Sequence, residues 1–155
     1  MKIERLVELR RFPPARQLLL VYGIDIPASV PIGAGLRLQH RGAGTVVHEL
    51  VSIGERVTIY HQVTIGRADG HLRMHEPRME RIEIGDDVVL FPGAKVLGGP
   101  GVTRVGDGTI VAANAVLTRS TGEWEIWGGI PARKIGDRPR PEPMPVAASQ
   151  ATAGP

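Results

Sequence analysis

A repeat of six residues constrains the fold of this chain more than any other feature. Branched aliphatic residues recur at that step, and a glycine follows several of them, as in Ile53-Gly54 and Ile84-Gly85. The step matches neither the 3.6-residue period of a helix nor the two-residue alternation of a simple strand. The repeated aliphatic positions are Ile26, Ile32, Leu38, Val47, Ile53, Ile59, Ile65, Ile84, Leu90, Val96, Val105, Val111 and Leu117.

A six-residue repeat is typical of short strands joined by tight turns. One branched aliphatic side chain points inwards from each strand, and Gly, Asp or Asn occupies the turn positions that need a positive φ angle. Three such strands close a triangular coil of about 18 residues, and successive coils stack at the strand spacing of about 4.8 Å. The repeat therefore predicts an all-β solenoid of about four to five parallel coils, which is enough to bury a core.

The repeat is interrupted at three places, and each interruption marks a candidate binding loop. The interruptions fall at residues 39–44, at residues 67–77 and at residues 98–101. Solenoids carry such insertions on one face, which is often the binding face. We therefore expect functional residues in or beside these segments.

The two ends of the chain differ in composition from the repeat. Residues 1–22 are predicted to form a short helical cap, with Ile3, Leu6 and Val7 on one side of a helix that is broken at Pro13-Pro14. Residues 23–136 form the predicted solenoid domain. Residues 137–155 are rich in Pro, Ala, Ser and Gly, and we expect a disordered tail there.

Composition excludes several classes of protein. The 155 residues include no cysteine, which removes disulfide scaffolds, thiolate nucleophiles and Cys-ligated zinc. The net charge is +3, but the basic residues are scattered and not interleaved with aromatics, which argues against nucleic-acid binding. No apolar stretch approaches the ~20 residues of a membrane span, and the start lacks an apolar signal segment. We expect a cytoplasmic protein with no nucleic-acid or membrane partner.

A series of short motifs runs through the predicted solenoid in a fixed order. The motifs are Gly23-Ile24-Asp25-Ile26, His40, residues 57–66, His75-Glu76-Pro77, residues 93–98 and residues 129–133. Together they resemble the serine acetyltransferases, a branch of the hexapeptide-repeat acyltransferases, in a short form without the N-terminal helical domain. The resemblance covers residues 23–136 and implies a left-handed parallel β-helix, assembled as a homotrimer with active sites between subunits.

The resemblance implies an acetyl-CoA-dependent O-acetyltransferase. Transfer from a thioester to an alcohol needs a base for the hydroxyl proton and donors for the developing oxyanion, and His is the usual base because it titrates near working pH. The family pattern assigns the base to His40 and its orienting carboxylate to Asp25. It assigns an auxiliary role to His75, and His71 competes for that role.

The resemblance also implies a groove for acetyl-CoA between neighbouring subunits. Coenzyme A carries phosphates, which favour Arg and Lys, and a pantetheine arm, which needs exposed backbone groups. No metal cofactor is expected. The implied contacts are Gly66, Arg67, Pro92, Lys95, Ala113, Arg133 and Lys134.

The acceptor side departs from the family pattern. Serine acetyltransferases have an Asp before the base His and an Arg before the second His, whereas this chain has Gln39 and Met74. Arg73 replaces the missing Arg only if the loop shifts by one residue. Loss of charged partners should weaken serine recognition. The expected acceptor is a small hydroxyl compound, either L-serine or, as Gln39 and Met74 favour, a sugar or specialised metabolite.

Two other functions fit parts of the sequence. A zinc enzyme like the γ-class carbonic anhydrases would use His61, His71 and His75 as ligands across a subunit interface. A non-catalytic scaffold would bind no coenzyme A. Under the acyltransferase hypothesis, His48 and His61 occupy regular coil positions and are expected at the surface or at an interface.

Overall fold

The computed structural model describes residues 2–71, 73, 76 and 78–141. Met74, His75 and most of the predicted tail lie outside the described residues. Two helices, α1 (Ile3–Glu8) and α2 (Pro13–Val21), precede a series of short strands. The strands are β1 (Arg37–Leu38), β2 (Val46–Val47), β3 (Val51–Ile53), β4 (Thr58–Ile59), β5 (Thr64–Arg67), β6 (Met79–Ile84), β7 (Val89–Leu90), β8 (Lys95–Gly98), β9 (Gly101–Val105), β10 (Ile110–Val111), β11 (Val116–Leu117), β12 (Glu125–Gly129) and β13 (Ala132–Asp137).

The strands form three sheets that the chain visits in rotation. The six-stranded sheet has the order β1-β4-β7-β10-β12-β13, the four-stranded sheet β11-β8-β5-β2 and the three-stranded sheet β3-β6-β9. Every pairing is parallel except that of β12 with β13. The chain therefore winds as a three-sided coil of parallel strands, and each circuit adds one strand to each sheet.

The core is filled by the residues of the six-residue repeat. All of the repeated aliphatic side chains are buried except Ile32, which is partly buried against the others. The residue two positions before each of them also faces inwards, as Val57 and Val63 do before Ile59 and Ile65. The sequence predicts one inward residue per strand, whereas each side of a coil buries two, because the residue entering the strand also points into the prism.

The glycines after the inward aliphatic residues have a different role from the predicted one. Gly33 and Gly54 stand at successive levels of one corner, and neither has a positive φ angle. A Cβ atom on Gly33 would lie 2.7 Å from the carbonyl carbon of Gly54. Positive φ occurs two residues after such a glycine, at Arg56 and Asp87. Close approach of adjacent coils, and not the turn conformation, therefore requires glycine at these positions.

The helical segment departs from the prediction at its prolines. Ile3, Leu6 and Val7 are buried in α1 as expected, but α1 already ends at Glu8. Pro13 begins α2, since a proline in the first turn of a helix lacks only an N–H that has no helical partner. Within the described residues, no helix is long and apolar enough to cross a membrane.

The C-terminal strand extends beyond the predicted end of the domain at residue 136. The Ile130–Pro131 peptide bond is cis, and β13 then folds back on β12 and continues to Asp137. Arg138 follows, and its guanidinium donates hydrogen bonds to the backbone oxygens of Asp87 (2.8 Å) and Gly108 (2.9 Å). The chain is therefore folded past the point where the tail is predicted to start.

Candidate active site

Four of the predicted site residues, Gln39, His40, Pro92 and Ala113, lie along one corner of the coil. This corner consists of the turns that join the six-stranded sheet to the four-stranded sheet, at residues 39–45, 60–63, 91–94 and 112–115. We call this stack of turns the first corner. Backbone N–H donors link each turn to the next, from Gln62 to Ala43 O (2.7 Å), Gly93 to His61 O (3.0 Å) and Asn114 to Pro92 O (2.9 Å).

The structure brings the predicted base His40 and the predicted coenzyme A contacts Pro92 and Ala113 into this corner. They lie in three of the four stacked turns, between β1 and β2, between β7 and β8, and between β10 and β11. Two further predicted contacts, Gly66 and Lys95, lie on β5 and β8 of the adjoining four-stranded sheet. Residues predicted from three separate motifs therefore lie in this corner or on the sheet beside it.

The turn that carries His40 has an uncommon backbone. His40 (φ 51°) and Arg41 (φ 61°) are consecutive non-glycine residues in the left-handed region, within the 3₁₀ turn Gln39–Gly42. Such residues are rare, and they concentrate at functional sites because the surrounding structure must compensate their strain. Buried Leu38 and buried Gly42 hold the two ends of the turn, so the exposed His40 is presented by a fixed loop.

His40 lines an open cavity of about 360 Å³. The other lining residues are Ala43, Gly44, His61 and Gln62. Glycine and alanine leave the backbone accessible on one side, and the two imidazoles with the amide of Gln62 supply hydrogen-bonding groups. A small polar molecule therefore has both room and partners beside His40.

Aromatic rings lie beside His40, the predicted base. The His40 and His61 rings are perpendicular, with centroids 5.1 Å apart, and Tyr60 lies 6.2 Å from His40. Tyr60 in turn stacks on Phe91, at 5.0 Å and with only 9° between the ring planes. Edge-to-face and stacked ring pairs of this kind stabilise defined side-chain orientations. His40 is thus supported by a wall of rings from two further turns.

His61 also lines this cavity, although its regular coil position alone predicts only a surface or interface residue. It is half-buried, and its Nδ1 atom is buried with no hydrogen-bond partner among the described residues. A signal for its location is present in the repeat. His61 stands two residues after the inward Ile59, as Pro92 stands two after Leu90, so the register places both in the same corner.

Asp25 and His40 line different cavities in this structure. Asp25 is exposed at the edge of the four-stranded sheet, where it bridges to Val46. It lines a separate groove of about 320 Å³ that also includes His48 and Gly66. Among the described residues, its carboxylate forms no ion pair with His40, so the predicted base and its orienting partner are placed on adjacent surfaces.

The predicted acceptor and auxiliary residues are divided between the two ends of the strands in the four-stranded sheet. Gln39 is exposed beside His40 in the first corner. His71 and Arg73 are exposed in the insertion that links β5 to β6, at the opposite end of these strands. Within one chain, therefore, His71 does not meet His40, and it does not meet His61 as the zinc hypothesis would require of a single chain.

Arg67, a predicted coenzyme A contact, anchors the insertion in this structure. Its Nε atom lies 2.6 Å from Oδ1 of Asp69, which is buried, and Oδ2 of Asp69 accepts a hydrogen bond from the N–H of Met79 (2.6 Å). The Arg67 hydrogen bond, with that from Met79, lowers the pKa of Asp69 to about 2. These contacts tie the start of the insertion to its end.

The two basic residues of the C-terminal hairpin differ in their availability. Nζ of Lys134 lies 2.7 Å from Asp137 and 3.1 Å from Glu125, and these carboxylates raise its pKa. The Arg133 guanidinium bonds only to the backbone oxygen of Ala132 (3.0 Å) among the described residues. Arg133 is therefore the cation of this pair that retains donors for an external anion.

The described residues contain no group of three or more His, Asp or Glu side chains placed to hold a metal ion. The zinc site suggested by His61, His71 and His75 includes a residue outside that part of the chain.

Comparison with known proteins connects this geometry to a family. No family model matches the chain. The serine acetyltransferase of Staphylococcus aureus strain MW2 is 35% identical over 113 residues, or 73% of this chain and 49% of that protein. The Mycobacterium tuberculosis serine acetyltransferase is 32% identical over 117 residues, or 76% of this chain and 47% of that protein. The chain is a relative of the serine acetyltransferases.

Solved structures confirm this relationship at the level of the fold. The serine acetyltransferase of Brucella abortus strain S19, solved in complex with coenzyme A, superposes with a TM-score of 0.68 at 28% identity. The match covers 88% of this chain and 53% of the Brucella chain. The serine acetyltransferase-like chain thus spans about half the length of the relatives it matches.

Proposed function

We propose that the chain is an acetyl-CoA-dependent O-acetyltransferase that moves an acetyl group to the hydroxyl of a small acceptor. The relationship to serine acetyltransferases supports this function. One structural observation links the proposed function to particular residues: His40 lies at an open cavity in the same corner as Pro92 and Ala113. The proposal includes a left-handed β-helix and a homotrimer, as in the resemblance.

The proposed reaction uses His40 as a general base. The imidazole takes the acceptor's hydroxyl proton while the hydroxyl oxygen attacks the thioester carbonyl carbon. The tetrahedral intermediate collapses with cleavage of the C–S bond, and the imidazolium returns the proton to the departing thiolate. The products are the acetyl ester and coenzyme A, and no covalent enzyme intermediate is needed. A base of this kind contributes about 10²–10⁴-fold to the rate.

Asp25 orients the base in this proposal. A carboxylate on the second imidazole nitrogen fixes the tautomer and stabilises the imidazolium. Catalytic hydrogen bonds are often long before substrate binds, and they tighten in the complex. We therefore propose that the Asp25 carboxylate turns from the edge of the four-stranded sheet towards His40 when the site is occupied.

The proposed coenzyme A groove follows the first corner towards the C-terminal hairpin. Pro92 and Ala113 lie at successive levels of this corner, and Gly66 and Lys95 flank them on the four-stranded sheet. Arg133 is the phosphate contact that the ion pairs favour, because Lys134 is neutralised by two carboxylates. Arg67 contributes less to coenzyme A binding in this proposal, since its guanidinium is paired with Asp69.

The trimer supplies the second histidine of the proposed site. The insertion that carries His71 and His75 starts at the end of β5, whereas His40 lies in the turn before β2. Within one chain, the start of the insertion and His40 are therefore at opposite ends of the strands. A three-fold assembly that packs the insertion against the first corner of a neighbour brings the two together. The auxiliary histidine, His75 or His71, then comes from the neighbouring subunit.

The cavity favours an uncharged acceptor over serine. Its lining residues present imidazole, amide, methyl and backbone groups, with no carboxylate or guanidinium among the described ones. Serine recognition needs a carboxylate for its ammonium and a cation for its carboxylate, and Gln39 and Met74 stand where the family has these charges. We propose a sugar or other hydroxylated metabolite as the acceptor, with L-serine as the alternative if Arg73 supplies the cation.

The experiment is thiol release from acetyl-CoA by the purified full chain. L-serine is added in one series, and a panel of sugars and hydroxylated metabolites is added in others, with the acetyl ester identified by mass spectrometry. Release with an uncharged acceptor supports the whole proposal. Serine-dependent release would support acyl transfer at His40 but replace the uncharged acceptor by L-serine, which makes the chain a minimal serine acetyltransferase. Absence of both acetyl-CoA binding and thiol release contradicts the function.

A further inference from the structure

His61 is the second imidazole at the cavity, and neither the repeat nor the acyl-transfer steps above give it a role. It lies one level above His40 in the first corner, and the positive φ angle of Gln62 (59°) turns the chain immediately after it. Its backbone oxygen accepts the Gly93 N–H (3.0 Å), so the main chain holds it from the next level. Its ring contacts that of His40 edge to face at 5.1 Å.

The two nitrogens of His61 have different surroundings. Nδ1 is buried and lacks a partner among the described residues. A buried N–H without an acceptor costs more than a bare lone pair, because the donor loses a strong hydrogen bond to water. The tautomer that this environment favours therefore leaves Nδ1 unprotonated and places the hydrogen on Nε2. Since Nδ1 is closed to solvent, a bound molecule can reach His61 only through Nε2.

We propose that His61 is a hydrogen-bond donor of the acyl-transfer site, and that its neutral Nε2–H stabilises the oxyanion formed on the thioester carbonyl oxygen. The inference rests on the proposed function and adds a group that the reaction requires. His40 takes and returns the hydroxyl proton, whereas His61 keeps its own proton throughout. The charge that develops on the carbonyl oxygen is met by a preorganised N–H, which is the arrangement that lowers such barriers most.

The pairing of the two rings fits this division of roles. During transfer His40 becomes an imidazolium, and a second positive ring 5.1 Å away would oppose that step by like-charge repulsion. A neutral His61 avoids the repulsion. The charged group nearest to this pair along the chain is Arg41, and its guanidinium lies over the Tyr22 ring, 5.8 Å from the ring centre.

The kinetic test compares two replacements at one position. His61→Leu introduces an apolar side chain of similar bulk and removes the donor, whereas His61→Gln keeps an N–H donor. Loss of one oxyanion donor costs about 10²–10³-fold in kcat. We expect that loss in His61→Leu, retention of activity within about tenfold in His61→Gln, and an unchanged Kd for coenzyme A by calorimetry in both.

A role limited to packing predicts instead that Leu is tolerated at least as well as Gln. A kcat of His61→Leu within threefold of wild type would overturn the inference while wild-type turnover upheld the proposed function. A wild-type chain without any acyl transfer would instead contradict the proposed function itself.

A spectroscopic test reads the tautomer without any turnover. Long-range ¹H–¹⁵N correlation of the full chain with ¹⁵N-labelled histidine distinguishes protonated from unprotonated ring nitrogens, and the His61→Gln variant assigns the signals. The inference predicts an unprotonated Nδ1 and a protonated Nε2 at neutral pH. A protonated Nδ1 on His61 would contradict it, because Nε2 would then be unable to donate in the neutral ring.

Discussion

At the scale of single residues, the turn at His40 and Arg41 shows how local strain can serve a site. Both residues have left-handed backbone, yet only His40 lines the cavity with His61. Arg41 points the other way, over the ring of Tyr22, and lines a different cavity near α1. The side chains of these two adjacent residues therefore face two different surfaces.

Asp69 gives a prediction on pH and stability. Because the folded state lowers its pKa to about 2 from 3.8, the folded protein gains stability at pH values above about 4 and loses it as the pH falls towards 2. We expect Asp69→Asn to lower the melting temperature by a few degrees near neutral pH. The difference in melting temperature from wild type should shrink as the pH falls from about 4 towards 2. Thermal unfolding followed by circular dichroism measures it.

A surface pair provides the control for Asp69. Glu8 lies 2.7 Å from Arg5, with both side chains mostly exposed, and such pairs contribute little. Glu8→Gln should therefore leave the melting temperature unchanged at every pH. A difference between Asp69→Asn and wild type that stayed constant down to pH 2 would exclude the ion pair as its cause.

At the scale of strands and turns, part of the structure was predictable from the sequence. The step of six identified the parallel coil and one of the two inward residues on each side, because burial at a fixed position of every strand leaves a visible periodicity. The role of Gly33 was not predictable, since it depends on the distance to Gly54 in the next coil. The position of His61 was accessible from its register after Ile59, but its unpaired Nδ1 was not, because hydrogen bonding depends on tertiary neighbours.

The stacked glycines give a second prediction. Gly33→Ala places a Cβ 2.7 Å from the backbone of Gly54, so the two coils must separate. We expect a loss of about 1–3 kcal/mol in the free energy of unfolding, measured by urea denaturation. Gly99→Ala is the matched control, because a Cβ there meets nothing within 4 Å and its φ is not positive. Equal losses in the two variants would refute the close-approach explanation.

At the scale of the whole molecule, the proposed assembly depends on the two ends of the strands in the four-stranded sheet. The first corner with His40 lies where the strands begin, and the insertion with His71 follows the end of β5. A monomer leaves these groups apart. The proposed trimer joins them at three equivalent sites, so the oligomeric state and the activity should be lost together.

Subunit complementation tests this arrangement. Chains with His40→Ala and chains with His71→Ala and His75→Ala should each be inactive alone. Co-expressed in equal amounts, they should regain about a quarter of the wild-type activity, because sites between subunits can combine one intact residue from each chain. Light scattering should give three times the chain mass of 16.7 kDa. A monomer, or no recovery on mixing, would contradict the shared site.

Acyl transfer by this chain should depend on the His40 imidazole, and the decisive measurement replaces that side chain within its own turn. His40→Ala and Arg41→Ala both put alanine at a left-handed position of the same turn, so the two variants share any backbone strain. Acetyl transfer is measured in both, together with coenzyme A binding by calorimetry. We predict that His40→Ala loses about 10²–10⁴-fold in kcat with coenzyme A affinity unchanged, while Arg41→Ala stays close to wild type. Full acetyl transfer by His40→Ala would exclude His40 as the general base.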